Sequence, residues 1–171
     1  MNREFDVIVV GGGTAGTPAC IAAGRLGART LVVEQLGSLG GTQSNGWVTP
    51  MMPNYLGPFH LSRGISLELV EKQAELQPPG DVLHGEVLYD PIMLALVMDR
   101  VATEAGVTRL YNASVSDVRV ENGRVVAIEV LARGGRFWVH GRCFVDASGD
   151  GELSRLAGAQ MMGGNDDGVH Q

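Results

Sequence analysis

The chain has 171 residues, 44% hydrophobic and 19% charged, a balance that suits one folded domain of about 150 residues and argues against intrinsic disorder. Thirteen Lys and Arg against nineteen Asp and Glu give a formal net charge of −6, which argues against nucleic acid or an anionic membrane surface as a partner. Glycine is the outlier at 25 residues, roughly twice the usual ~7% share, and with no Gly-X-Y period collagen is excluded.

Phe5-Asp6-Val7-Ile8-Val9-Val10 is a β-branched apolar run ending on a glycine cluster. It reads as a parallel strand buried on both faces, and its start shows no signal-peptide plan. From Thr14 to Leu26 the residues are small and apolar, with Pro18 in the first turn; this predicts a buried helix, stopped by Gly27. Thr30-Leu31-Val32-Val33-Glu34 predicts a second buried strand, which completes one right-handed βαβ unit. From Gly37 to Gly57 the chain is rich in Gly, Pro, Ser and Asn and reads as a long loop.

A helix is expected from Ser62 to Leu76, followed by a break at Pro78-Pro79-Gly80. Asp90-Pro91 is an N-cap with proline at the first helical position. In the helix it starts, Leu94, Met98, Val101 and Ala105 face the core and Asp99, Arg100, Thr103 and Glu104 face water. Gly106 ends it, and Val107 to Tyr111 predicts a short strand. Val115 to Val120 alternates and reaches Asn122-Gly123, the strongest short hairpin signal. Arg124 to Ala132 returns, and Arg136 to His140 makes a third antiparallel strand. Cys143-Phe144-Val145 then reads as a buried strand ending in Asp146-Ala147-Ser148-Gly149-Asp150-Gly151. No apolar run approaches the ~20 residues of a spanning helix. Cys20 and Cys143 lie in segments that read as core, so no disulfide framework is expected and a reducing cytoplasm is the expected compartment.

Gly11-Gly12-Gly13-Thr14-Ala15-Gly16 satisfies G-x-G-x-x-G between a predicted strand and a predicted helix. Gly11 permits the tight turn, Gly13 lets backbone approach a pyrophosphate, and Gly16 lets helix pack closely on strand. The N–H groups of Thr14 and Ala15 then face the phosphates at the positive end of the helix. Glu34 falls 18 residues beyond Gly16, where a carboxylate can hold both hydroxyls of an adenosine ribose and repel a 2′-phosphate. The bland alternative is a glycine-rich βα turn that binds nothing. Gly40-Gly41-Thr42 suits a chain passing beside a diphosphate or ring system, or simply a flexible loop start. The Asp146-to-Gly151 stretch sits at a strand end, where ligands of open α/β sheets bind, although an Asp-capped βα turn has the same sequence.

Together these residues resemble the FAD-dependent oxidoreductases of the glutathione-reductase-like two-dinucleotide-fold class. The resemblance rests on Val9 to Gly16, on Val33-Glu34 followed by Gly40-Gly41, on Tyr89-Asp90-Pro91 and on Asp146 to Gly151. It implies an α/β fold, a Rossmann-like FAD/NAD(P)-binding parallel sheet with an antiparallel three-stranded β-meander and a helical insert. Residues 1–160 would form the FAD-binding domain, with the insert at about 45–90 and the meander at about 113–141. Residues 161–171 would start a connection to a substrate domain, so the chain is expected to be an N-terminal portion that binds FAD weakly and does not turn over alone. The resemblance further implies that Gly11, Gly12, Gly13, Thr14, Ala15 and Gly16 bind the FAD pyrophosphate and that Glu34, with Gln35 beside it, binds the ribose. Gly40, Gly41 and Thr42 would pass along the diphosphate and flavin, the backbone at Val115 would contact the adenine, and Ala147, Ser148 and Gly149 would pass near the cofactor. Cys20 stands where that fingerprint usually has Ala.

No catalytic base or nucleophile is assigned. His60, His84, His140 and His170 show no ligand spacing, no Cys-x-x-Cys exists, and no metal site or P-loop lysine is present. Met51-Met52 and Met161-Met162 read as apolar loop packing. Trp47 is either a loop anchor or part of the flavin or substrate side. The expected activity is flavin-mediated redox of a small-molecule substrate. An NAD-dependent dehydrogenase would share the first motif and Glu34 but continue in alternating βα units, which the Asn122-Gly123 meander disfavours. A non-catalytic dinucleotide-binding module is the third reading.

Overall fold

A computed structural model describes residues 3–51, 55–56, 59–76, 82–83 and 86–163. The N-terminal apolar run forms strand β1 (Glu4–Val10), the glycine turn feeds helix α1 (Gly16–Arg25), and strand β2 (Thr30–Val33) follows. The helix stops as expected, because Gly27 takes φ +83°, a left-handed conformation that costs glycine nothing.

The stretch from Gly37 to Gly57, expected to be a loop, carries more structure than that. It holds a 3-10 turn (Gly41–Gln43) and strands β3 (Pro50–Met51) and β4 (Tyr55–Leu56). Strand β5 (Phe59–His60), helix α2 (Ile65–Leu76), and strands β6 (Val82–Leu83) and β7 (Glu86–Leu88) come next. The expected helical insert is therefore one helix among short antiparallel pairs. Two-residue strands leave no readable period, so their pairing is decided by distant partners such as Pro50 with Leu88. The Pro78-Pro79-Gly80 break, His84, Met52 and His170 lie outside the described residues.

Helix α3 (Pro91–Glu104) starts as the sequence predicts, with Asp90 Oδ1 accepting the N–H of Ile92 at 2.7 Å and of Met93 at 3.2 Å. Strands β8 (Thr108–Leu110), β9 (Ser114–Glu121), β10 (Arg124–Ala132) and β11 (Gly135–Asp146) and the short helix α4 (Glu152–Leu156) complete the order. Asn122 and Gly123 both have positive φ, +50° and +74°, as a type I′ hairpin turn requires.

Six strands form one sheet in the order β8-β2-β1-β11-β10-β9. The first four run parallel, and β10 and β9 extend the sheet antiparallel. β2, α3 and β8 thus make a second parallel crossover beyond the single βαβ unit read from sequence. The third meander strand and the following buried strand are one continuous element. The first half of β11 pairs with β10, ending at His140 opposite Ala127, and its second half pairs with β1 from His140 to Asp146. Gly141 interrupts the apolar pattern but not the strand; a Cβ there would stand 2.8 Å from Ile8 Cδ1 and 2.9 Å from Phe144 Cζ.

Both faces of the parallel strands are covered. Val9 and Val32 pack with Cys20, Ile21, Leu94 and Val101 on the helical side, while Ile8, Val10, Leu31 and Val33 pack with Ile128, Val130, Val139 and Leu153 on the other. This two-sided burial is why β1 and β2 read as continuous apolar runs. Cys20 is buried as expected, but Cys143 is exposed; a three-residue apolar run does not reveal which face of its strand is covered. No helix among the described residues is long and apolar enough to cross a membrane.

Candidate functional site

The carboxyl ends of β1, β2 and β11 converge on a cleft of about 1240 Å³. Such convergence is where ligands of open α/β sheets sit. Three backbone bonds stitch the strand ends together: Gly11 N–H donates to Val33 O at 2.8 Å, Ala147 N–H to Val10 O at 2.8 Å, and Gly40 N–H to Gly12 O at 2.8 Å.

The three glycines of the fingerprint play separate parts. Gly11 has φ +92°, and a Cβ on it would stand 2.8 Å from Ser148 Cα. A Cβ on Gly16 would overlap the Gly11 carbonyl and lie 3.1 Å from Ala147 Cβ. Gly13 differs: the nearest atom to its hypothetical Cβ is Gly41 Cα at 3.9 Å, so the space beside it is open. Among the described residues the N–H groups of Gly13, Thr14 and Ala15 donate to no protein acceptor. They stand at the start of α1, where helix geometry leaves donors unused and the dipole is positive. Thr17 Oγ, buried, donates to Gly12 O at 2.7 Å and braces the turn from inside.

Glu34 is buried beneath this turn. Its Oε2 accepts the Gly12 N–H at 2.6 Å and its Oε1 accepts the Leu36 N–H at 2.7 Å. A carboxylate has about four lone-pair positions, so acceptor capacity remains toward the cleft that Glu34 lines.

Asp146 organises the turn after β11. Its Oδ1 accepts from Ser148 N–H at 3.2 Å and Oγ at 2.7 Å, and its Oδ2 from Ser154 N–H at 2.8 Å and Oγ at 2.7 Å. Partial burial alone would raise its pKa, but the hydrogen bonds from Ser154 and Ser148 outweigh it and hold the carboxyl below its ordinary range. Ser148 Oγ in turn accepts the Glu152 N–H at 2.9 Å.

Of the residues singled out in the sequence, Gly11, Gly13, Thr14, Ala15, Glu34, Gln35, Gly41, Thr42, Val115, Ala147, Ser148 and Gly149 line the cleft. Gly12, Gly16 and Gly40 stand behind its wall and shape it. Sequence reasoning missed Asn45, Gly46, Ser114, Glu152 and Ser154, which also line it. Ser154 carries no local signal, because its place at the site depends on the core packing of α4 through Leu153 and on its bond to Asp146, eight residues away. Trp47 adjoins cleft-lining Gly46 but is 67% exposed and does not line the cleft. Among the described residues the ionisable side chains lining the cleft are all acidic: Glu34, Asp146, Asp150 and Glu152. No group of three His, Cys, Asp or Glu among the described residues is placed to hold a metal ion.

Over residues 6–171 the sequence matches the family described as FAD dependent oxidoreductase. It is 31% identical over 129 residues to the thiamine thiazole synthase of Thermotoga maritima, an alignment covering 75% of this chain and 48% of that protein. The chain thus spans about half the length of this relative. Among solved structures it resembles Thermovibrio ammonificans THI4, with TM-score 0.65, 21% identity and coverage of 93% of this chain and 65% of that one. L-proline dehydrogenase from P. horikoshii gives TM-score 0.69 at 14% identity, covering 95% and 58%. The anhydrotetracycline hydroxylase OxyS from Streptomyces rimosus gives 0.68 at 19% identity, covering 95% and 35%.

Proposed function

The chain belongs to the FAD-dependent oxidoreductase family, and from that premise we propose that FAD lies in the cleft at the ends of β1, β2 and β11. The observation that carries this reading is the open space beside Gly13. Three unbonded N–H groups, of Gly13, Thr14 and Ala15, border a gap that no Cβ fills, with Gly41 opposite. A pyrophosphate is the group that such donors at a helix start suit. Glu34 would accept the ribose hydroxyls with the lone pairs that Gly12 and Leu36 leave free, and a 2′-phosphate there would meet a buried carboxylate. The backbone at Val115 would border the adenine, while Gly41, Thr42 and Ala147 to Gly149 would run along the rest of the dinucleotide. Gly12, Gly16 and Gly40 would act from behind, keeping the turn in shape.

When bound, FAD supplies two-electron redox chemistry, and the protein's part is to place and orient it. We propose a small-molecule substrate for the whole protein, and we expect the 171 residues alone to bind FAD without turnover. Titration of the refolded, flavin-free chain with FAD tests the reading. Saturable binding that NADP does not compete away is expected, and a folded chain that binds no FAD would overturn it.

A further inference from the structure

Tyr89 directly precedes the N-cap of α3, is only 4% exposed, and packs in the helical core rather than along the cleft. Its hydroxyl donates to Val48 O at 2.6 Å, and its N–H donates to Thr49 O at 3.4 Å. Val48 is held from its other side too, because its own N–H donates to Thr42 O at 3.0 Å.

Thr42, Asn45 and Gly46 lie in the loop that the Val48–Thr42 bond closes and Gly41 directly precedes it, and all four belong to the cleft wall. The N–H groups of Asn45 and Gly46 both donate to Gly41 O, at 2.8 and 3.0 Å. Between the folded wall and anchored Val48 stands Trp47, with φ +55°. A bulky aromatic residue seldom takes this left-handed conformation, and it persists only where the surroundings impose it. Here the imposing groups are Thr42 O on one side of Val48 and the Tyr89 hydroxyl on the other.

The geometry points to Tyr89 as a positioning residue for the bound dinucleotide: through Val48 it holds the Gly41-to-Gly46 wall in the shape that faces Gly13. This inference rests on the cleft being the FAD site. Tyr89 touches no part of the cleft, so it acts by population: without the hydroxyl other wall shapes become occupied, and apparent affinity falls in proportion to the competent fraction.

The test uses Tyr89→Phe in a chain that also carries Trp138→Phe, which leaves Trp47 as its single tryptophan. FAD affinity is measured by titration, and the environment of Trp47 by acrylamide quenching without cofactor. Losing this partly buried hydrogen bond is expected to weaken FAD binding about three- to tenfold and to change the Trp47 quenching. Tyr111→Phe is the control: it removes another hydroxyl bond, that to Asp99 on α3, and should leave both readouts within about twofold. If Tyr89→Phe does not fold, Tyr89→Met removes the same hydroxyl with a flexible side chain that can fill the core, and should move both readouts the same way. FAD affinity that stays within about twofold while the parent binds FAD overturns the inference alone, as does an equal loss in Tyr111→Phe. A parent chain that binds no FAD overturns the reading of the cleft, and the inference with it.

Discussion

The Glu34 carboxylate, buried at the end of β2, accepts the Gly12 N–H at 2.6 Å, so the acid that faces the cleft also anchors the turn beside it. A cleft-facing group and a structural brace are here one side chain.

Glu34→Gln tests that double use. An amide offers one acceptor oxygen in place of two and turns its NH2 toward either the Gly12 or the Leu36 N–H, leaving a buried donor unsatisfied at a cost of about 1–3 kcal/mol. Urea denaturation should show that loss in the flavin-free chain, and FAD affinity should fall as well. Unchanged stability would show that the turn does not depend on this carboxylate.

Gly13→Ala and Gly16→Ala should separate binding from folding. A methyl at Gly13 meets nothing closer than 3.9 Å, so the flavin-free melting temperature is expected to hold while FAD binding is lost. A methyl at Gly16 would collide with the Gly11 carbonyl, and overpacking of that kind costs about 1–3 kcal/mol. Calorimetric melting with and without FAD distinguishes the two. A Gly13→Ala chain that binds FAD normally would remove the pyrophosphate from that position.

Asp146 should leave a signature in acid. Its folded pKa lies below the ordinary value, so it contributes stability above the unfolded-state pKa of about 3.9, and this is lost as pH falls through the folded pKa. Asp146→Asn should be less stable than the parent at neutral pH, and the gap should narrow below about pH 4. Denaturant midpoints of both chains across pH 2–7 check this, and a gap constant with pH would place the effect in packing alone.

Salt dependence is a fourth check. Among the described residues the ionisable side chains lining the cleft are acidic, so the diphosphate would be held by N–H groups and the dipole of α1 against like charge. Added salt screens that repulsion, so FAD affinity should stay level or rise between about 50 and 500 mM NaCl. A steep fall would point to a cation not among the lining residues.

Much of the fold was legible because it rests on local chemistry. The glycine spacing from Gly11 to Gly16, the Asp90-Pro91 cap and the Asn122-Gly123 turn each fix backbone angles within a few residues. The continuity of β11 was not legible, since Gly141 breaks the apolar pattern and only Ile8 and Phe144 beside it show why a glycine belongs there. The exposure of Cys143 likewise depends on which face of the strand is covered.

The sequence by itself determined the kind of turn, its glycines and a carboxylate at the end of the second strand, because those depend on backbone freedom and charge at short range. Only the tertiary structure decided which residues meet the cleft. Gly13 is open because Gly41 lacks a side chain, Gly12 is spent on Glu34, and Ser154 reaches the site through Asp146. These pairings join segments whose approach is set by strand register and two-sided packing of the sheet, and neither is written in any local stretch of the chain.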